Sequence, residues 1–279
     1  MRSSAQKIHY FHAEAHPFGG FIEKPFQKHI PSPASVSLPA VGGHVTPRSD
    51  AFNFEEIVSC RSAYSRISGS HDEDGSWWTL ATSVVEGLNI LEVVTAERIV
   101  AQISVQHPAD GGSPQISFAG SRFERLQICG CDASPAMNSG FQAPGRGTGG
   151  SRNPINWKLF QETASQQAAK LVKGVEGDDD RDAFQPLTER YGWLASKRKP
   201  GAHECVLCSL VDGVDRAIPG KSFCHVVHIP HFGKIILGEI VAFPASVQLS
   251  MVRAELGCAT HGAMTMASAM ANGGTVPPH

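Results

Sequence analysis

Residues 86–105 read EGLNILEVVTAERIVAQISV, and whether this run coils or stays extended decides the fold. A helix at the border of a core needs apolar residues at i, i+3, i+4 and i+7. From Leu88 those positions hold Leu91, Glu92 and Thr95, and from Ile90 they hold Val93, Val94 and Glu97. Neither register makes a stripe. Alternation does better: Leu91, Val93, Thr95, Glu97, Ile99, Ala101, Ile103 and Val105 are apolar at most positions, while the other parity is mixed. That is the mark of extended chain with one dry and one partly wet face. The run is also rich in β-branched residues, which are stiff at χ1 and suit a pleated surface. It is longer than an ordinary strand, so a break near Thr95–Glu97 is expected, giving two strands. Glu86, Glu92, Glu97 and Arg98 lie within it, and such charges exclude a membrane span.

The same reading extends outward. Residues 5–131 are a succession of alternating segments with turn signals about every ten residues, among them Asp74-Gly75, which is the pattern of an all-β sandwich or barrel. Residues 132–154 are rich in Gly, Pro, Ser and Asn and read as a long loop. The period then changes: Ile155, Leu159, Phe160, Ala164, Ala168, Leu171 and Val172 fall at helical spacing, with Gly174 as the expected stop. A shorter helix follows, its length limited by Pro186. Strands resume at 205. In SVQLSMVRAEL, Val247, Leu249 and Met251 face one way and, after a slip, so do Ala254 and Leu256. The expected fold is mainly β, an antiparallel sandwich or barrel-like sheet with a small helical insertion at about 155–193. Residues 1–131 and 204–279 together form one β domain, and 132–203 form the loop and insertion.

The segments SVVEGLNILEVVTAERIVAQISV, ISFAGSRFERLQICG and IPHFGKIILGEIVAFPASVQLSMVRAELG resemble a group of uncharacterised bacterial β-rich proteins. Their order is also loosely similar to that in choice-of-anchor surface domains. The resemblance covers about half the chain and rests on strand patterns. It implies a β fold and a non-catalytic role, and no catalytic residue.

The 279 residues carry a net charge of −2 and a pI near 6.7, so no basic field points to nucleic acid. The N-terminal stretch lacks the apolar core of a secretion signal, which makes the cytoplasm the default location. Seven cysteines spread along so long a chain do not read as a disulfide scaffold.

Three constellations could carry chemistry. Cys205 and Cys208, followed by Cys224 and His228, have the residue types and rough spacing of a tetrahedral zinc site. The competing reading is that CVLCSLV and CHVVHI are plain strands in which cysteine packs as a small hydrophobe. His12, Glu14 and His16 share one face of a strand and offer two imidazoles and a carboxylate for a divalent metal or for proton transfer, or simply a solvated face. Trp77 and Trp78 beside a turn could stack on a carbohydrate or a partner, though packing is the commoner use of tryptophan. The Gly145-x-Gly147-x-x-Gly150 match lacks the strand that a dinucleotide-binding loop follows. With no specific catalytic motif, the expectation is a non-enzymatic structural or assembly protein that associates with itself side by side through exposed strands. A zinc protein or metal-dependent enzyme, and a carbohydrate- or partner-binding module, are the alternatives.

Overall fold

The computed structural model describes residues 8–142, 157–179, 181–195, 205–214, 218–243 and 246–276. The longer elements are β1 (Ile8–Lys24), β2 (Ser62–His71), β3 (Trp77–Ile90), β4 (Val94–His107), helices α1 (Trp157–Glu176) and α2 (Gln185–Ala195), then β5 (Val206–Ser209), β6 (Val226–Ile229), β7 (Gly233–Phe243), β8 (Ser246–Gly257) and β9 (His261–Val276). They build two antiparallel sheets. In the first, Lys221–Phe223, β6, β7, β8, β9, β1 and Lys28–His29 are neighbours in that order, with β5 also paired to β7. Strands from before and after the insertion thus share one sheet, β1 lying along β9 from Ile8 opposite Val276 to Lys24 opposite His261. The second sheet is centred on β3 between β2 and β4. Neither closes into a barrel.

The run 86–105 is part of a hairpin. β3 and β4 reverse at Leu91–Val93, four residues before the expected break. Leu91 and Glu92 take φ of 48° and 57°, and the Asn89 side chain accepts from the Glu92 amide at 2.8 Å. An Asx-type bond holds the turn where propensity alone would continue the strand. The irregularity near Glu97 is nonetheless real. The pairing skips from Ala96 opposite Leu88 to Arg98 opposite Glu86 with the register unchanged, because Gly87 at φ 64° departs from extended backbone there.

A larger step crosses the first sheet. Glu239, Ser250, Ser268 and His16 pair across β7, β8, β9 and β1, and so do Leu237, Val252, Met266 and Phe18. Gly238, Met251, Ala267 and Pro17 lie between these rows, outside the regular register, with φ of 62° at Gly238 and 51° at Ala267. The step shifts the alternation by one residue in all four strands. In β8 the residues turned to the core are Val247 and Leu249 before it and Ala254 and Leu256 after it, as the slip in the sequence predicts.

The inner face of β1 carries His9, Phe11, Ala13, Ala15 and Phe18. It packs on the second sheet through the stack of His9 on Trp77, the contact of Phe18 with Phe52, and a bond from the Ser65 hydroxyl to the Ala15 carbonyl. Alanines at Ala13, Ala15, Ala81, Ala101 and Ala269 are buried and let the sheets approach. The insertion covers the β5 side of the first sheet's outer face. Phe160, Ala164, Ala168, Leu171 and Val175 form the buried stripe of α1. Gly174 does not stop this helix. It sits within it, where a Cβ would come 3.2 Å from Phe223. Nor does Pro186 limit α2: it lies in the first turn, where its missing N–H costs nothing. Gln167 of α1 docks like a strand residue, its side-chain amide donating to the Ser209 carbonyl and its oxygen accepting from the Ser209 amide.

Candidate functional site

Three rows cross the outer face of the first sheet from β7 to β1: Phe243–Ser246–Asn272–His12, Val241–Gln248–Met270–Glu14, and Glu239–Ser250–Ser268–His16. Ile8 and Tyr10 extend the His12 side of β1. Facing residues in a ladder project to the same side, so these residues form one surface. The insertion covers its Glu239 corner. On the remainder Ile8, Tyr10 and Phe243 are 53%, 52% and 45% exposed, beside half-buried polar side chains.

The structure brings His12, Glu14 and His16 together as the alternation predicts. His12 Nε2 lies 3.6 Å from Glu14 Oε1, and His16 Nε2 lies 3.2 Å from Oε2. One carboxylate is therefore shared between two imidazoles on opposite sides of it. Residues i and i+4 on a strand are about 13 Å apart, so the imidazoles lean onto the carboxylate from either side rather than meeting at one point. Among the described residues no group of three or more His, Cys, Asp or Glu is arranged to hold a metal ion.

The zinc candidates are spread out. Cys208 faces Ile240 and His228 faces Lys234 along β7, six positions or about 20 Å apart. Cys205 precedes β5 by one residue and has the opposite parity to Cys208. A Cys-x-x-Cys pair on a strand sends its thiols to opposite faces, and the tight knuckle that would bring them together is absent here. Burial pushes the Cys208 and Cys224 thiols up, away from the thiolate that zinc needs. His228 packs edge-on to Phe184. Its pKa is lowered by burial and then by Lys234 and Lys221.

Trp77 and Trp78 are both half-buried. Trp77 stacks on His9 with centroids 5.2 Å apart and meets His71 at 5.4 Å, so packing occupies its ring. Trp78 pairs with Gln106 and Ser70 on the other face. Gly145, Gly147 and Gly150 lie outside the described residues.

The sequence reading missed the buried charge beneath the insertion. Glu239 is 4% exposed and accepts from Arg190 of α2 at 2.5 Å and from the Tyr191 hydroxyl at 3.2 Å, with Arg253 at 3.6 Å. His225 Nε2 lies 3.5 Å from the same hydroxyl. Burial and then the nearby Arg190 depress His225 to about 4. Arg190 is 49 residues from Glu239, and no local pattern signals a pair so distant in sequence. The cluster has the composition of an acid–base site, yet every member is turned into the helix–sheet interface, where it fastens the insertion.

No helix among the described residues is long and apolar enough to cross a membrane. No curated protein and no solved structure matches the chain. The family model described as "Domain of unknown function (DUF8256)" matches residues 9–243. That span runs from β1 through the insertion to the end of β7, so the chain belongs to this uncharacterised domain family.

Proposed function

We propose that the protein is a non-enzymatic β-sandwich that assembles copy against copy through the outer face of its first sheet. The observation that carries this reading is the exposure of Ile8, Tyr10 and Phe243 on one surface together with the His12–Glu14–His16 triplet. Phe243 on β7 and Ile8 and Tyr10 on β1 bracket the face at its two sides, and exposed apolar side chains favour contact there. A two-fold interface requires a self-complementary patch, and imidazoles flanking a carboxylate supply both partners of a charge-assisted bond. From Ile8 to His16 along β1 and from the β7 axis to the β1 axis the face spans roughly 26 by 14 Å, a footprint at the small end for a stable contact.

Association by strand addition fits less well. Among the described residues the edge positions of both sheets are held by segments of two to four residues, such as Lys28–His29, Val36–Ser37, Phe52–Phe54, Lys221–Phe223 and Cys131–Asp132. Edges this short blunt side-by-side pairing, so the contact is face to face. The loose likeness of the strand pattern to choice-of-anchor surface domains supports a non-catalytic role as well. Light scattering combined with negative-stain imaging of the native protein tests the reading. A defined oligomer is expected, and a strict monomer at every concentration overturns it.

A further inference from the structure

The second sheet ends in two hairpin tips built alike. Asn53–Ile57 and Asn89–Val93 each place the asparagine oxygen on the amide of the glutamate three residues on, Glu56 at 3.1 Å and Glu92 at 2.8 Å. Each has two successive left-handed residues, Glu55 and Glu56 at 51° and 57°, and Leu91 and Glu92 at 48° and 57°. The tips lie side by side, Ser59 opposite Asn89. They are locked together by the Leu91 amide donating to the Ile57 carbonyl at 3.0 Å. Between them opens a cleft of about 410 Å³ lined by Asn53, Glu56, Ser59, Asn89, Leu91 and Glu92.

We infer that this cleft binds a neutral sugar, an oligosaccharide in preference to a single unit. The donor set argues against a metal cation and against an anion. A calcium-like cation needs six or more oxygen ligands, but both asparagine oxygens already accept from the backbone, and the NH2 group of each amide can only donate. Amide hydrogens repel a cation. The two carboxylates, Glu56 and Glu92, repel an anion. What remains is a ligand whose groups both donate and accept: a hydroxyl gives a proton to a carboxylate and takes one from an amide. Leu91 supplies an apolar contact for the C–H face of a pyranose, in keeping with the mix of apolar lining and few fixed polar groups in ligand sites. The tips repeat the same donor–acceptor set two strands apart, Ser59 lying between Asn53 and Asn89, at about 9.6 Å. A ligand carrying a row of equivalent hydroxyls engages both. Because the turns are fixed by backbone bonds, binding requires little ordering.

The test is isothermal titration of the full chain with glucose, galactose, mannose, maltose, cellobiose and lactose, with calcium chloride as comparator. Saturable binding of at least one disaccharide, tighter than that of its constituent monosaccharide, is expected. The Glu56→Ala/Glu92→Ala double variant, which removes exposed side chains and leaves the turn bonds intact, weakens it about tenfold or more. A Leu91→Ala variant with an unchanged circular dichroism spectrum weakens it independently. Absence of binding by all six sugars, sugar binding unaffected by the double variant, or calcium binding at these residues without sugar binding each overturns the inference.

Discussion

Arg190, on the inserted helix α2, donates to the buried carboxylate of Glu239 in the middle of β7 at 2.5 Å, and this contact fastens the insertion to the sandwich. Glu239 sits on the outer face at the sheet-wide step, one residue after Gly238. Removing one partner of a buried pair leaves an uncompensated charge and costs about 3–5 kcal/mol. Arg190 is 27% exposed at its side chain and Arg253 lies nearby, so Arg190→Ala is expected to cost about 3 kcal/mol, at the low end of that range. The Arg190→Met/Glu239→Leu double variant costs less than either single change. Urea denaturation measures Arg190→Ala, the double variant and its two single components. An Arg190→Ala variant as stable as the parent contradicts the role assigned to the pair.

Acid is expected to loosen the fold through histidine. His9 is depressed from 6.5 to about 4 by burial and then by His107, and His225 is depressed to about 4 by burial and then by Arg190. The unfolded chain therefore binds more protons than the folded one between these values, and stability rises with pH there. The contribution is fully present above about 6.5, is lost as pH falls toward 4 and levels off below that. Thermal melts across this window are expected to show the decline, and His225→Leu to flatten it. A melting temperature that rises on acidification has the wrong sign for this account.

The step in the first sheet depends on Gly238. Its φ is 62°, and a Cβ there would lie 3.1 Å from Leu210 and 3.2 Å from Val211. Gly238→Ala incurs the left-handed penalty of about 1–2 kcal/mol plus crowding, and Gly238→Val more. Gly130→Ala is the control: its φ is similar, at 74°, but a Cβ there meets nothing within 4 Å. If both alanine variants melt alike, crowding at the step is not what fixes it.

Chelation is expected to leave the protein unchanged. Cys208 and His228 lie at opposite ends of their ladders on β7, too far apart for one ion. Elemental analysis of the purified protein should find no stoichiometric zinc, and EDTA should not move its melting temperature. One zinc per chain, lost in Cys205→Ser/Cys208→Ser together with stability, would reverse this.

Period-two alternation made the sandwich legible, and even the slip at Met251 could be read from the change of parity in SVQLSMVRAEL. The reversal at Leu91–Val93 was misplaced because the turn is held by Asn89 and lacks the usual Asn-Gly or Asp-Gly signal. A cue was available: Asn-x-x-Glu occurs at 53–56 and again at 89–92, and both copies are turns. Gly174 misled as a helix stop because the Phe223 ring packs where its side chain would be. Cys205 and Cys208 misled because spacing along the chain says nothing about pleat. His12, Glu14 and His16 were legible, since alternation alone puts them on one face. Glu239 and Arg190 were not, because only tertiary packing joins them.

Sedimentation over a range of concentrations, with the parent chain beside a Tyr10→Glu/Phe243→Glu variant, tests assembly through the outer face of the first sheet most directly. Both side chains are exposed, so the variant is expected to keep its fold and its melting temperature. The account predicts that the parent sediments as a defined oligomer and the variant as a monomer. A parent that is monomeric throughout, or a variant that associates as the parent does, contradicts it.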